Sequence, residues 1–414
     1  MAILIRNIKE LVGIDETGKG YKAGDDMQKL ETIKNAYLLT EGDRIKDYGK
    51  MQDLEIPDDK PVEIIDASGK MVFPSFVDSH THLVYAGSRE IEYGDKIRGL
   101  SYEEIAKRGG GILNSAKLLH ETSEEELFKQ SLVRINDIIA MGTGAVEIKS
   151  GYGLTVDDEL KMLRVIRRLR EETPLIIKAT FLGAHAVPAE YKGRQREYVD
   201  LVINEMIPRV GEEQLADFTD VFCDKGFFTT EETSDILKAA AQYGMRPKIH
   251  ANELDYSGGI EVGVANHALS VDHLEYTGNA EIMALFNSET MPTILPGAAF
   301  FLGMIYAPAR KMIDAGLPVA LASDFNPGSS PSGNMQLIAA MGCINHRMYP
   351  EEVINATTIN TAYAMDVQDE VGSITRGKRA NLYISRPMPT YNYLPYSYGD
   401  NKVDTVILNG EIIR

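Results

Sequence analysis

The chain carries two cysteines in 414 residues, Cys223 and Cys343. They form no Cys-x-x-Cys pair, so neither a disulfide framework nor a thiolate metal knuckle is implied. Basic residues are scarce relative to acids: 43 Lys and Arg face 61 Asp and Glu, for a formal net charge of -18. That balance argues against nucleic acid or an anionic membrane as partner. A long hydrophobic run is missing as well. The start, MAILIRNIKE, is apolar over far too short a stretch for a signal peptide or a span, and no other segment approaches spanning length. A reduced, cytoplasmic, soluble protein is expected. The run Gly109-Gly110-Gly111 lacks the Walker spacing and follows no strand, which excludes a nucleotide phosphate loop. It reads as an active-site loop or as a hinge.

What the chain does have is apolar material for a large core, 44% of its residues. Its length suits a barrel of ~250 residues with a smaller companion. Residues 1–70 read as short strands and turns, and the C-terminal end looks similar, with Ala380–Ile384 and Val403–Gly410. Neither end has enough apolar surface to stand alone. They are expected to pair into one small β unit, 1–70 with 372–414, around a central domain over 71–371.

The centre alternates strands and amphipathic helices, the sign of a parallel sheet. A first strand is expected over Met71–Val77. Seven more are expected at 143–149, 175–184, 218–224, 246–251, 269–274, 290–295 and 318–324. Helical spacing of apolar residues marks Asp157–Glu171 and Glu231–Tyr243. Eight strand–helix units suggest an α/β fold of the (β/α)8 TIM-barrel type, with an open doubly wound sheet as the rival.

In a barrel, chemistry gathers at the carboxyl ends of the strands. Five of the eight histidines fall there: His80, His82, His185, His250 and His273. His80 and His82 share a face, because side chains alternate along a strand, and two imidazoles can grip one transition metal. With His250 and Asp324 they form a three-nitrogen, one-oxygen set that suits a catalytic metal with room for water. Asp324 could instead cap a helix, since Pro327 and Ser329 follow. Glu253 is a candidate proton shuttle or a solvated loop carboxylate. His273 would steady the attacking water or the developing oxyanion, or is simply a buried histidine. The loop Asp324–Pro331 is either a rigid turn or an anion cradle of free backbone N–H groups. His120, His267 and His346 read as surface or capping residues.

Six stretches carry a resemblance: FVDSHTHLVYAGSR (76–89), EIKSGYGL (147–154), FLGAHAVP (181–188), IHANE (249–253), VDHLEY (271–276) and ASDFNPGSSP (322–331). Through them the chain resembles the amidohydrolase superfamily of metal-dependent hydrolases, and within it the members that open an imidazolone ring. The resemblance implies a distorted barrel with a small β-sandwich from both termini. It implies hydrolysis of 4-imidazolone-5-propanoate to N-formimidoyl-L-glutamate in histidine degradation by a metal-activated water. One zinc or iron ion would be held by His80, His82, His250 and Asp324. Catalytic roles would fall on Glu253, His273, Asp324 and His185. Substrate contacts would fall on Arg89, Tyr152, His185, Glu253, Asn326, Gly328 and Ser329, with Arg89 gripping the propionate. A homodimer is implied too.

Three rivals stand beside this reading. A deaminase of the same superfamily would need no arginine for a carboxylate. A binuclear hydrolase would need a carboxylated lysine at the fourth strand end, where Lys225 is available. A catalytically dead relative would have lost ligands, and none is missing here.

Overall fold

The computed structural model describes residues 2–55, 62–100 and 111–413. The expected Gly109-Gly110 loop lies outside the described residues. Two eight-stranded sheets organise the chain. The first is mixed and comes from both termini. It comprises β1 (Ala2–Ile14), β2 (Glu31–Glu41), β3 (Arg44–Lys50), β4 (Val62–Asp66), β5 (Met71–Pro74), and the C-terminal β14 (Leu382–Ser385), β15 (Val403–Leu408) and β16 (Glu411–Ile412). The two ends meet where β14 runs antiparallel to β5, with Tyr383 opposite Phe73.

The second sheet is wholly parallel and runs in chain order: β6 (Phe76–Asp78), β7 (Thr143–Lys149), β8 (Ile176–Ala184), β9 (Phe218–Cys223), β10 (Arg246–Ala251), β11 (Ser270–His273), β12 (Met291–Ile294) and β13 (Ala320–Leu321). It closes on itself. Beyond the ends of β6 and β13, the Asp324 N–H donates to the His80 carbonyl at 3.0 Å and the His82 N–H to the Phe325 carbonyl at 2.9 Å. Asp78 reinforces the seam by accepting from the Ser323 N–H at 2.9 Å and from its hydroxyl at 2.5 Å. The open-sheet alternative is thereby excluded.

The single strand expected over Met71–Val77 is in fact two. Met71–Pro74 belongs to the terminal sheet, and Phe76–Asp78 opens the barrel. Ser75 marks the switch: its N–H donates to the Asn381 carbonyl at 2.9 Å. Tyr383 stacks on both Phe73 and Phe76, at 5.0 and 5.1 Å between ring centroids, and so packs across the junction. A continuous apolar run therefore serves two sheets.

The expected helices are present as Val156–Glu172 and Thr230–Ala241. Each starts at a threonine whose hydroxyl accepts a backbone N–H of the first turn, Thr155 from Asp158 and Thr229 from Glu232. Acidic residues crowd both first turns, as the helix dipole favours. Their apolar stripes cover the outside of the barrel. Among the described residues no helix is long and apolar enough to cross a membrane.

Candidate active site

At the carboxyl ends of the barrel strands lies a cavity of about 360 Å³, lined by residues from most of the strand ends. His80, His82 and His250 converge beneath it, each offering a ring nitrogen within 4.8 Å of the others. Nδ1 of His80 is 2.6 Å from Asp272 Oδ2, and Nδ1 of His250 is 3.0 Å from Asp220 Oδ2. Those carboxylates fix the protonated nitrogen and leave Nε2 facing inward as a lone pair. The two inward nitrogens of His82 and His250 stand 3.3 Å apart. Asp324 Oδ1 lies 3.5 Å from His80 Nε2 and 3.6 Å from His82 Nε2.

This donor set fits a cation. His80 Nε2 is buried and has no hydrogen-bond partner among the described residues, a costly arrangement unless something else fills its lone pair. Burial holds His80 and His82 well below the ordinary imidazole range and lowers His250 too, so all three are neutral ligands at neutral pH. Burial raises the Asp324 carboxyl, a tendency that a nearby cation would reverse. Asp324 caps no helix. Its φ of +54° turns the chain sharply at the strand end.

Above the histidines stand Glu253 and His273, 3.6 Å apart between Oε2 and Nε2. Burial pushes the Glu253 carboxyl up to about 7, with His273 pulling the other way. Burial opposes a charged His273, but Glu253 and Glu275 outweigh it and push the imidazole up to about 10. His273 thus keeps its proton near neutrality while Glu253 is poised to exchange one. His273 and Leu274 both have positive φ, +85° and +73°. Such strain in non-glycine residues gathers at functional sites.

The loop after β7 is built by a residue on the following helix. Glu159 is fully buried, and its carboxylate accepts the N–H groups of Gly151, Gly153 and Leu154 at 3.1, 2.8 and 2.9 Å. That clamp sets Tyr152 into the cavity wall. His185 Nδ1 meets the Gly151 carbonyl at 2.9 Å, and its ring stacks on His82 at 5.1 Å. Burial lowers His185 to about 3, so it stays neutral and turns a bare Nε2 outward.

Arg89 lines the same cavity and is the only Lys or Arg among its described lining residues. Its Nε and Nη2 both donate to Glu92 Oε2, at 2.8 and 2.6 Å. Gly328 lies against the guanidinium so closely that a Cβ there would collide with it. Glu92 also accepts from the Gly111 N–H and from Asn114 Nδ2, both at 3.1 Å. The arginine is therefore held in place before any ligand arrives.

The structure brings Arg89, Tyr152, His185, Glu253, His273, Asp324, Asn326, Gly328 and Ser329 to one cavity, with His82 and His250 in its floor and His80 just behind. Of the two readings of the loop Asp324–Pro331, the rigid turn holds: the N–H groups of Gly328 and Ser329 both donate to Asn326 Oδ1, at 2.7 and 2.8 Å, and are not free for an anion. One expectation needs correction. His346 is not a surface residue: it is buried, and Nδ1 donates to the Ala307 carbonyl at 2.9 Å. Lys225 does not line the cavity: it is 75% exposed and paired with Asp255, so it does not serve as the lysine a binuclear site requires. Sequence reasoning missed Asp220, Asp272, Glu159 and Glu92. The first two had a signal, since an acid inside an otherwise apolar strand needs a buried partner, and so had Glu92, three residues after Arg89.

Comparison with known proteins agrees with this geometry. The amidohydrolase family profile matches residues 71–413. The chain is 54% identical over 413 residues to the imidazolonepropionase of Christiangramia forsetii, with 100% of both chains covered. It is equally 54% identical over 413 residues to that of Flavobacterium johnsoniae, again with 100% of both covered. Among solved structures, E. coli guanine deaminase superposes with a TM-score of 0.75 at 13% identity, covering 100% of this chain and 99% of the other. That likeness concerns the fold alone.

Proposed function

We propose, from the premise that this chain belongs to the amidohydrolase family and within it to the imidazolonepropionases, how its barrel-end cavity carries out their reaction. The chain is a hydrolytic enzyme. The reaction is the opening of 4-imidazolone-5-propanoate, in which water adds to the ring carbonyl carbon, the carbon–nitrogen bond breaks and N-formimidoyl-L-glutamate results. The observation that carries this reading is one cavity holding the histidine cluster, a glutamate–histidine pair and, among its described lining residues, one arginine.

His80, His82, His250 and Asp324 would hold one ion, zinc or iron. Bound there, it would supply Lewis acidity and lower the pKa of its water towards ~7. Glu253 takes the proton from the attacking water and delivers it to the departing ring nitrogen. His273, holding its proton, donates to the oxyanion that develops on the carbonyl oxygen. His185 accepts from a ring N–H through its bare Nε2, and Tyr152 closes the wall beside it. Arg89 receives the propionate on the guanidinium face that Glu92 leaves open. A cytoplasmic homodimer belongs to the same proposal, which light scattering on the purified protein checks.

The assay is direct: purified protein is mixed with fresh imidazolone propionate, and the ultraviolet absorbance of the substrate is followed. Steady loss is expected; an unchanged trace with metal present would sink the reading. Elemental analysis should find about one zinc or iron per chain, in keeping with a single catalytic site. A requirement for two would point to the binuclear chemistry instead.

Arg89→Met should keep the metal and weaken substrate binding. Hydrogen bonds to charged groups contribute ~1.5–3 kcal/mol, roughly tenfold to over a hundredfold in affinity. An imidazolone without the carboxylate should be a poor substrate for both proteins and barely notice the mutation. Equal losses on the two substrates would mean that Arg89 supports the site's structure and does not read the propionate.

A further inference from the structure

Beneath the histidines, the barrel interior is filled by charge where side chains such as Val, Ile and Leu would be ordinary. Lys149, Lys248, Glu147, Asp220 and Asp272 are all wholly or almost wholly buried. Lys149 sits at their centre. Its Nζ lies 2.5 Å from Glu147 Oε1, 2.8 Å from Asp220 Oδ2 and 3.8 Å from Asp272 Oδ2. Lys248 pairs with the other oxygen of Glu147 and donates to the Ser79 and Ala364 carbonyls at 2.9 and 3.2 Å. Neither lysine lines the cavity, and no step of the reaction calls on them.

Stability does not account for such a layer. Desolvating several ions is expensive, and well-packed apolar residues often serve a core as well or better. The connectivity suggests another role. Asp220 Oδ2 is the atom that meets both Lys149 and His250 Nδ1. Asp272 Oδ2 is the atom near both Lys149 and His80 Nδ1. One ammonium therefore stands behind two of the three histidines through one carboxylate each. The Lys149 backbone joins in as well: its N–H donates at 2.9 Å to the carbonyl of Thr81, the residue between His80 and His82.

We infer that Lys149 is a positioning residue for the metal centre: shared between Asp220 and Asp272, it fixes the two carboxylates that orient His250 and His80, and so governs how tightly the ion is held. The inference rests on the metal-site reading above. Without the ammonium, the carboxylates of Asp220, Asp272 and Glu147 repel one another. The carboxylates then turn, and the imidazoles lose their aim. Lys149 touches neither metal nor substrate, so retention of the ion is what changes first.

The test follows loss of zinc to an excess of chelator from the full-length, zinc-loaded protein. Lys149→Gln keeps hydrogen-bond donors but removes the charge. It should speed zinc loss by ~10–100-fold, the range for outer-shell partners, and alter the visible spectrum of the cobalt-substituted protein. A lysine needed only for folding would instead lower the melting temperature of the metal-free protein and leave rate and spectrum alone. Deleting a buried cation threatens folding, so a charge-balanced pair is compared in parallel. Glu147→Gln alone leaves Lys149 on both aspartates and should keep the wild-type rate of zinc loss. Lys149→Gln/Glu147→Gln, with the same buried net charge as wild type, should lose zinc as Lys149→Gln does. Equal rates in Glu147→Gln and the double variant overturn the inference. A wild-type protein that takes up no zinc or iron overturns the metal reading itself, before any variant is compared.

Discussion

Glu253→Gln is expected to keep the fold and the metal while lowering kcat by ~10²–10⁴-fold, the usual contribution of a general acid–base group. Glutamine matches the shape of glutamate, and among the described residues the ion-pair partner of Glu253 is His273 at 3.6 Å, with no Lys or Arg. The pH profile should change with it. Glu253 must be ionised to take a proton, and burial pushes its carboxyl up to about 7. A bound cation draws it lower. Activity of the wild type should therefore fall as pH drops through about 7 or somewhat below, and that acid limb should vanish in Glu253→Gln. Turnover near that of the wild type would return Glu253 to an ordinary buried carboxyl.

Asp324→Asn should have the other large effect. Asparagine tolerates the left-handed backbone that this position needs, with φ at +54°. The seam bond from its N–H to the His80 carbonyl is made by the backbone and survives. The fold should hold. What goes is the only carboxylate among the four converging groups. Metal retention and activity should fall by more than the ~10–100-fold expected of an outer-shell partner. Metal content by elemental analysis and kcat/KM are measured on the same sample. Full metal content with unchanged kcat/KM would remove Asp324 from the centre and leave it only the backbone turn that its φ of +54° describes.

Much of this arrangement was legible from residue patterns. Apolar runs of strand length separated by helical periodicity announce eight parallel strands, and all eight are found. His80 and His82 share a face because the strand period is two, which is a local fact. Partners set by tertiary contact were hidden. Glu159 sits on a helix and reaches back to three N–H groups of the preceding loop, which no spacing rule anticipates. Ser75 switches the chain between two sheets inside one apolar run, and hydropathy has no feature there to read. The loop Asp324–Pro331 looked able to bind an anion because its composition favours exposed N–H groups. Asn326 consumes two of them through its own side chain, an Asx-type closure that competes with ligand binding. The ion pair of Arg89 with Glu92 is different: it is a local contact three residues apart on the first turn of the helix Glu90–Ile97, and its spacing is readable in the sequence.

Hydrolytic ring opening is tested most directly by turnover in heavy-oxygen water. Imidazolone propionate is converted by the metal-loaded protein, and the product is examined by mass spectrometry. The expected product is N-formimidoyl-L-glutamate with one heavy oxygen in the carboxylate formed from the ring carbonyl, and with no ammonia released. No turnover of imidazolone propionate, together with ammonia release from an amino-substituted ring such as guanine, would contradict ring opening and favour the deamination chemistry of the rival branch.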